Sequence, residues 1–137
     1  MSATVLYTPD VLALAVRLSH YPLRDEMPHV AEARSQACGS AIILGLATDA
    51  DGRIEAVGLR SQACAIGQAA AAIFADGAQG QSRDDIAGSQ AALTAWLAGE
   101  GALPDWPGLD TIAAAQAYPG RHAALMLPWN AALRALP

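Results

Sequence analysis

An α+β fold, with a small three-stranded antiparallel sheet packed against several helices, is predicted by three features of this 137-residue sequence. Its hydrophobic periodicity runs helix, then extended segments, then helices, the order in which an antiparallel sheet is covered on one face. Asp51-Gly52 sits between two apolar runs, which is a hairpin signal. Its 33 alanines dominate a hydrophobic set of 53%, and small side chains suit closely packed helices. The charged set is only 15%, so the chain has material for a core and lacks the composition of a disordered one. The length fits a single domain over residues 1–137, because about 100–200 residues is usual per domain.

Thr8 before Pro9 predicts the start of the first helix, with the hydroxyl as N-cap and proline at the first helical position. Leu12, Ala15, Val16 and Ser19 then share a face, and the helix ends near His20. Leu23 to Glu26, between Pro22 and Pro28, reads as a polar loop, followed by an extended segment from Val30 to Ser35. Ser40 to Thr48 and Arg53 to Arg60 are the arms of the hairpin, with Val57 and Leu59 on one face. After Cys64 comes an alanine-rich helix, apolar on nearly all faces and therefore buried, with Gly77 as its stop. Ser82, Asp84 and Asp85 open another helix, which turns Ile86, Leu93, Trp96 and Leu97 inward and ends at Gly99. Gly101 to Gly108 form a loop, Leu109 to Ala117 a short helix, and Arg121 to Leu136 a last apolar segment that Pro128 interrupts or kinks.

Eight arginines, no lysine and thirteen acids leave a net charge of −5, without the clustered positive charge that binding nucleic acid requires. No apolar run approaches the ~20 residues of a membrane span, so no membrane association is expected. Met1 to Pro9 has neither a basic n-region nor an apolar h-region, so the expected compartment is the reducing cytoplasm, where cysteines stay thiols. Phosphate loops, nucleophile elbows and paired-histidine zinc motifs are missing, and an enzyme is not expected.

The chemistry concentrates on Cys38 and Cys64, which end the identical tetrapeptides Ser35-Gln-Ala-Cys38 and Ser61-Gln-Ala-Cys64. One precedes the hairpin and the other follows it. An antiparallel sheet returns the chain to the side where it began, so the two thiols are expected to be neighbours. Cys64 lies at a strand–helix junction, where unpaired backbone N–H groups and the helix dipole favour a thiolate, which makes it the better nucleophile or ligand. Gly39 beside Cys38 permits close backbone approach to a metal or partner. The competing reading is that both cysteines are small buried hydrophobes, as free cysteines often are. His20, His29, His122, Asp25, Glu26 and Asp105 are further donors, each with a solvated surface role as its alternative. A thiol enzyme using Cys64 with His20 or His122 as base is a third reading that no spacing selects.

Several segments, in order, resemble the U-type iron–sulfur cluster assembly scaffolds, the NifU N-terminal-domain family, and its SUF-pathway branch in particular. Leu18-Ser-His-Tyr21 resembles the family's Asp-His-Tyr segment, Ala37-Cys-Gly39 its Cys-Gly-Asp motif, and Gln62-Ala-Cys-Ala-Ile66 its helix-opening Gly-Cys-Ser-Ile motif. The stretch from Ala117 to Leu133 is similar to the SUF-type aromatic-Pro-x-Arg run and the Lys-Cys-Ala-x-Leu-x-Trp-x-Ala-Leu run after it. The insert from Ala98 to Gly108 also suits that branch. The resemblance implies the U-type scaffold fold and a site of three cysteines and one aspartate that holds zinc or a nascent iron–sulfur cluster. Cys38 and Cys64 match two of those positions. Ser40 stands at the aspartate, Ala124 at the third cysteine, and Pro22-Leu-Arg24 replaces an Asn-Pro-Arg loop.

In function, the resemblance implies a scaffold-like protein that binds an iron–sulfur cluster or zinc, or accepts sulfur, through Cys38 and Cys64. A cysteine desulfurase or other cluster-assembly proteins would be its partners. Two thiolates fill half of a four-ligand shell. Sulfur acceptance on Cys64 therefore survives the lost ligands better than tight metal binding does. His122, two positions before Ala124, is a substitute donor, and a cluster bridged in a homodimer would meet the ligand count with two thiolates from each chain. The alternative from a different class is a degenerate scaffold that keeps the fold as an interaction module and binds no metal.

Overall fold

The computed structural model describes residues 6–36 and 39–137. Thr8 Oγ1 accepts the Val11 amide and Pro9 occupies the first turn, so α1 (Pro9–Val16) starts where its cap predicts and tightens into a 3₁₀ turn over Arg17–His20. The expected inward face is wrong, however. Val11 is buried and Leu14 and Leu18 pack on the core, while Leu12 and Val16 are 49% and 75% exposed. Two stripes of helical spacing compete in this segment, and the one that packs against the core and the later helix Ala65–Ala78 is turned inward. Arg17 and the Tyr21 hydroxyl both donate to the Asp76 carboxylate on that helix, which ties the end of this segment to it.

Three antiparallel strands follow in the spatial order β1 (His29–Arg34), β2 (Ala41–Thr48), β3 (Ile54–Gln62). Gly52, with φ +80°, closes the β2–β3 hairpin, and the Asp49 carboxylate accepts the amides of Asp51 and Arg53 across the turn. Ile42, Leu44, Leu46 and Leu59 point to the helices. The segment read as a polar loop lays Leu23 and Met27 over the other face. There Gly45 and Gly58 are paired, and a Cβ on either would stand 2.9 and 2.8 Å from the Met27 sulfur.

Helix α2 (Ala65–Ala78) is buried along nearly its whole length, as an all-apolar helix must be. Gly77 is not its stop: it lies inside the helix, and the left-handed turn comes at Gly80 (φ +85°). The glycine is there because the Trp106 ring lies against it, and a Cβ would fall 2.5 Å from the indole nitrogen. Helix α3 (Arg83–Leu97) opens with a reciprocal capping box between Ser82 and Asp85 and buries Ile86, Leu93 and Trp96. The expected loop before Gly108 inserts Trp106 into the core, where its indole N–H donates to the Ile73 carbonyl (2.9 Å) and its ring stacks on Phe74. A 3₁₀ segment, Leu109–Ala117, leads to α4 (His122–Ala135). This helix runs through buried Pro128 without ending, held by its packing against α2, α3, β1 and β2. Helices α2 and α4 cover the inner face of the sheet, and among the described residues no helix is long and apolar enough to cross a membrane.

Candidate functional site

Two residues beyond the end of β3, Cys64 is the N-cap of α2, with extended backbone (φ −64°, ψ 170°) and no side-chain capping bond. It is free and half-buried. The helix start is fixed from behind. The Cys64 carbonyl accepts the Gln68 amide (2.9 Å), and the Gln68 side chain donates to the Ala63 carbonyl (2.8 Å). Gly67 lets Ala63 and Ala124 close in, their methyl carbons 2.8 and 3.3 Å from where its Cβ would stand. Gln68 has no signature in the sequence beyond its place four residues after the cap.

The turn between β1 and β2 lies at the same end of the sheet, because Ala41 pairs with Gln62. The Ser35 amide donates to the Ser40 carbonyl (2.8 Å) and the Gly39 amide to the Ser35 carbonyl (3.1 Å), with Gly39 at φ +70°. Cys38 itself lies outside the described residues. Ser40 is buried, and Ala124 has no exposed surface at all. Along the outer edge of β3, the Tyr21 carbonyl accepts the Leu59 amide (2.9 Å) and Pro22 lies beside Leu59, so the segment after α1 runs toward this end as well. On the outer face, a depression of about 190 Å³ is lined by Glu32, Arg34, Ala41, Ile43, Arg60 and Gln62. Arg60 belongs to no motif in the sequence, and Gln62 enters one only as a neighbour of Cys64, although the alternation of β3 puts both on this face.

The remaining donors are elsewhere. His29 begins β1 opposite Leu46, with Nε2 3.3 Å from Thr48 Oγ1, at the far end of a strand roughly 17 Å long. His122 opens α4 with Nε2 2.8 Å from the Gln116 carbonyl, and lines a groove with Leu97 and Met126. Two helical positions from Ala124, it points away from that residue, so it is no substitute donor. His20, Asp25 and Glu26 are exposed. Asp105 lines a groove of about 700 Å³ with Asp84 and Asp85, and Asp85 lies 3.4 Å from Arg53 beside the β2–β3 turn, at the opposite end of the sheet from Cys64. Among the described residues, no three His, Cys, Asp or Glu side chains gather where they could hold a metal ion. With a sealed methyl at Ala124 and a hydroxyl at Ser40, these residues do not fit a resident zinc.

No protein-family model matches the sequence, and no curated protein matches it. The fold, in contrast, is that of the U-type scaffolds. A nitrogen-fixing NifU-like protein (N-terminal) from Brucella abortus superposes with a TM-score of 0.87 at 24% identity, over 96% of this chain and 92% of that one. A protein described as an iron–sulfur cluster assembly scaffold for the SUF system, from the thermophile Fervidobacterium islandicum AW-1, gives 0.87 at 18% identity over 99% and 100% of the two chains.

Proposed function

We propose that the chain is a U-type scaffold of iron–sulfur cluster assembly whose working atom is the Cys64 sulfur, with Cys38 as co-ligand. The observation that supports it is a half-buried, uncapped cysteine at the start of a buried helix, in the fold shared with a protein described as an assembly scaffold. The chemistry left to one thiol is sulfur acceptance. The Cys64 thiolate attacks the outer sulfur of a donor persulfide, R–S–SH. A new S–S bond forms on Cys64, the donor's S–S bond breaks, and the donor leaves as a thiolate that takes a proton from solvent. Atoms and electrons balance without an oxidant, and a persulfidated cysteine desulfurase is the donor class. The step needs neither Ser40 nor Ala124, and iron and sulfur are cargo.

A second reading is an interaction module that handles no metal or sulfur, and the closed packing at Ala124 favours it. The test is to purify the protein anaerobically, measure iron, zinc and sulfide, and then incubate it with a cysteine desulfurase and cysteine and weigh the intact chain. The scaffold reading expects a mass gain of one sulfur atom that Cys64→Ser abolishes. Metal well below one atom per chain, together with no added sulfur, leaves only the interaction module.

A further inference from the structure

The two edges of the sheet are finished differently. On β3 outward-facing groups are taken at both ends of the strand: the Tyr21 carbonyl accepts the Leu59 amide, the Gln81 carbonyl accepts the Ile54 amide, and the Gly80 amide donates to the Ile54 carbonyl. On β1, among the described residues, they are open but for one. The Ser35 amide donates to the Ser40 carbonyl, so Ser35, Ala33, Ala31 and His29 turn their backbone groups toward β2, and the alternation leaves those of Val30, Glu32 and Arg34 facing out. Among the described residues, one group reaches that edge, the Arg134 guanidinium on the Glu32 carbonyl (3.0 Å). Val30 is 51% exposed, and the Glu32 and Arg34 side chains are 45% and 71% exposed.

The charge pattern along this edge is self-complementary in one register. A second β1, run antiparallel about a two-fold axis at Ala33, sets Glu32 opposite Arg34 of the other copy and Arg34 opposite its Glu32. Both are outward-facing residues, so both form hydrogen-bonded pairs. Ala33, buried in the single chain, meets its own copy at the non-hydrogen-bonded position, where its methyl adds no bulk between the strands. Centring the axis on Glu32 would instead oppose two carboxylates.

We propose that β1 is the docking edge for a second copy of this chain, paired in the Ala33-centred register to make a continuous six-stranded sheet. The assembly closes at two chains, because the β3 edges it leaves outermost are already capped at Ile54 and Leu59. Arg134 competes for the Glu32 carbonyl and must swing away on pairing. The two β3 strands end up about 24 Å apart, five strand spacings, so each copy keeps its own Cys64 site and no cluster is shared between them.

Sedimentation equilibrium over a wide concentration range tests the proposal. Dimerisation should weaken at least tenfold in Glu32→Arg and in Arg34→Glu, and recover in the double exchange. It should tighten in Arg134→Ala. It should vanish in Glu32→Pro, which deletes an outward N–H that the β1–β2 ladder does not use, with the far-UV CD spectrum retained. A chain that stays monomeric at millimolar concentration overturns the proposal. So does a dimer indifferent to the charge exchange.

Discussion

Gly77 and Trp106 form one unit, since the indole occupies the space a Cβ would need and hydrogen-bonds the carbonyl one helical turn earlier, at Ile73. Gly77→Ala is expected to cost roughly 1–3 kcal/mol in urea unfolding, because the ring must move and its N–H loses a partner inside the core. Gly88→Ala, on the exposed face of α3 with nothing within 4 Å, should instead stabilise by about 0.5–1 kcal/mol through helix propensity. Tyr21 offers a pH test. Burial, then its bond to the Asp76 carboxylate, raises its pKa above the ordinary 10.0. The folded chain therefore holds this proton more tightly than the unfolded one, and the associated stability is intact below pH 10 and lost as pH rises through the raised value. Tyr21→Phe should remove that part of the alkaline loss in a pH series of thermal unfolding.

Among the elements, α3 depends most on a local signal. Ser82→Ala removes its cap and is expected to cost about 1 kcal/mol, read by denaturant unfolding. Asp85 answers in acid. The Ser82 backbone N–H, helped by the Ser82 side chain and Arg53, holds its carboxyl below the ordinary 3.8. Its contribution is present above that value and lost as pH falls through the depressed one, so Asp85→Asn should flatten the acid arm of the stability profile. Caps, turn glycines and periodicity of this kind made α3, the hairpin and the start of α1 legible in the sequence. The inward face of α1 was not legible, because packing against α2, distant in sequence, selects it. Nor was the burial of Met27 and Trp106 within apparent loops, since each fills a space made by glycines on a distant element.

At the scale of the whole molecule, the candidate site was legible in part. Cys64 falls at the strand–helix junction its flanking residues predict, and the register carries the β1–β2 turn to the same end of the sheet. The histidines were not separable from ligands by sequence, because their positions at opposite ends of strands and helix faces emerge only from the packing. The aromatic cluster has a further consequence. Trp106 and Trp129 lie 5.2 Å apart, nearly perpendicular and both against Phe74, and Trp96 is buried too, so every indole in the chain reports on the interior. Iodoacetamide labelling of Cys64 should leave tryptophan emission unchanged, whereas Gly77→Ala should shift it. The molecule thus carries a built-in optical gauge of its interior, independent of what its thiol is doing, and an exciton couplet in circular dichroism would follow the junction of α2 with α4 without any added dye.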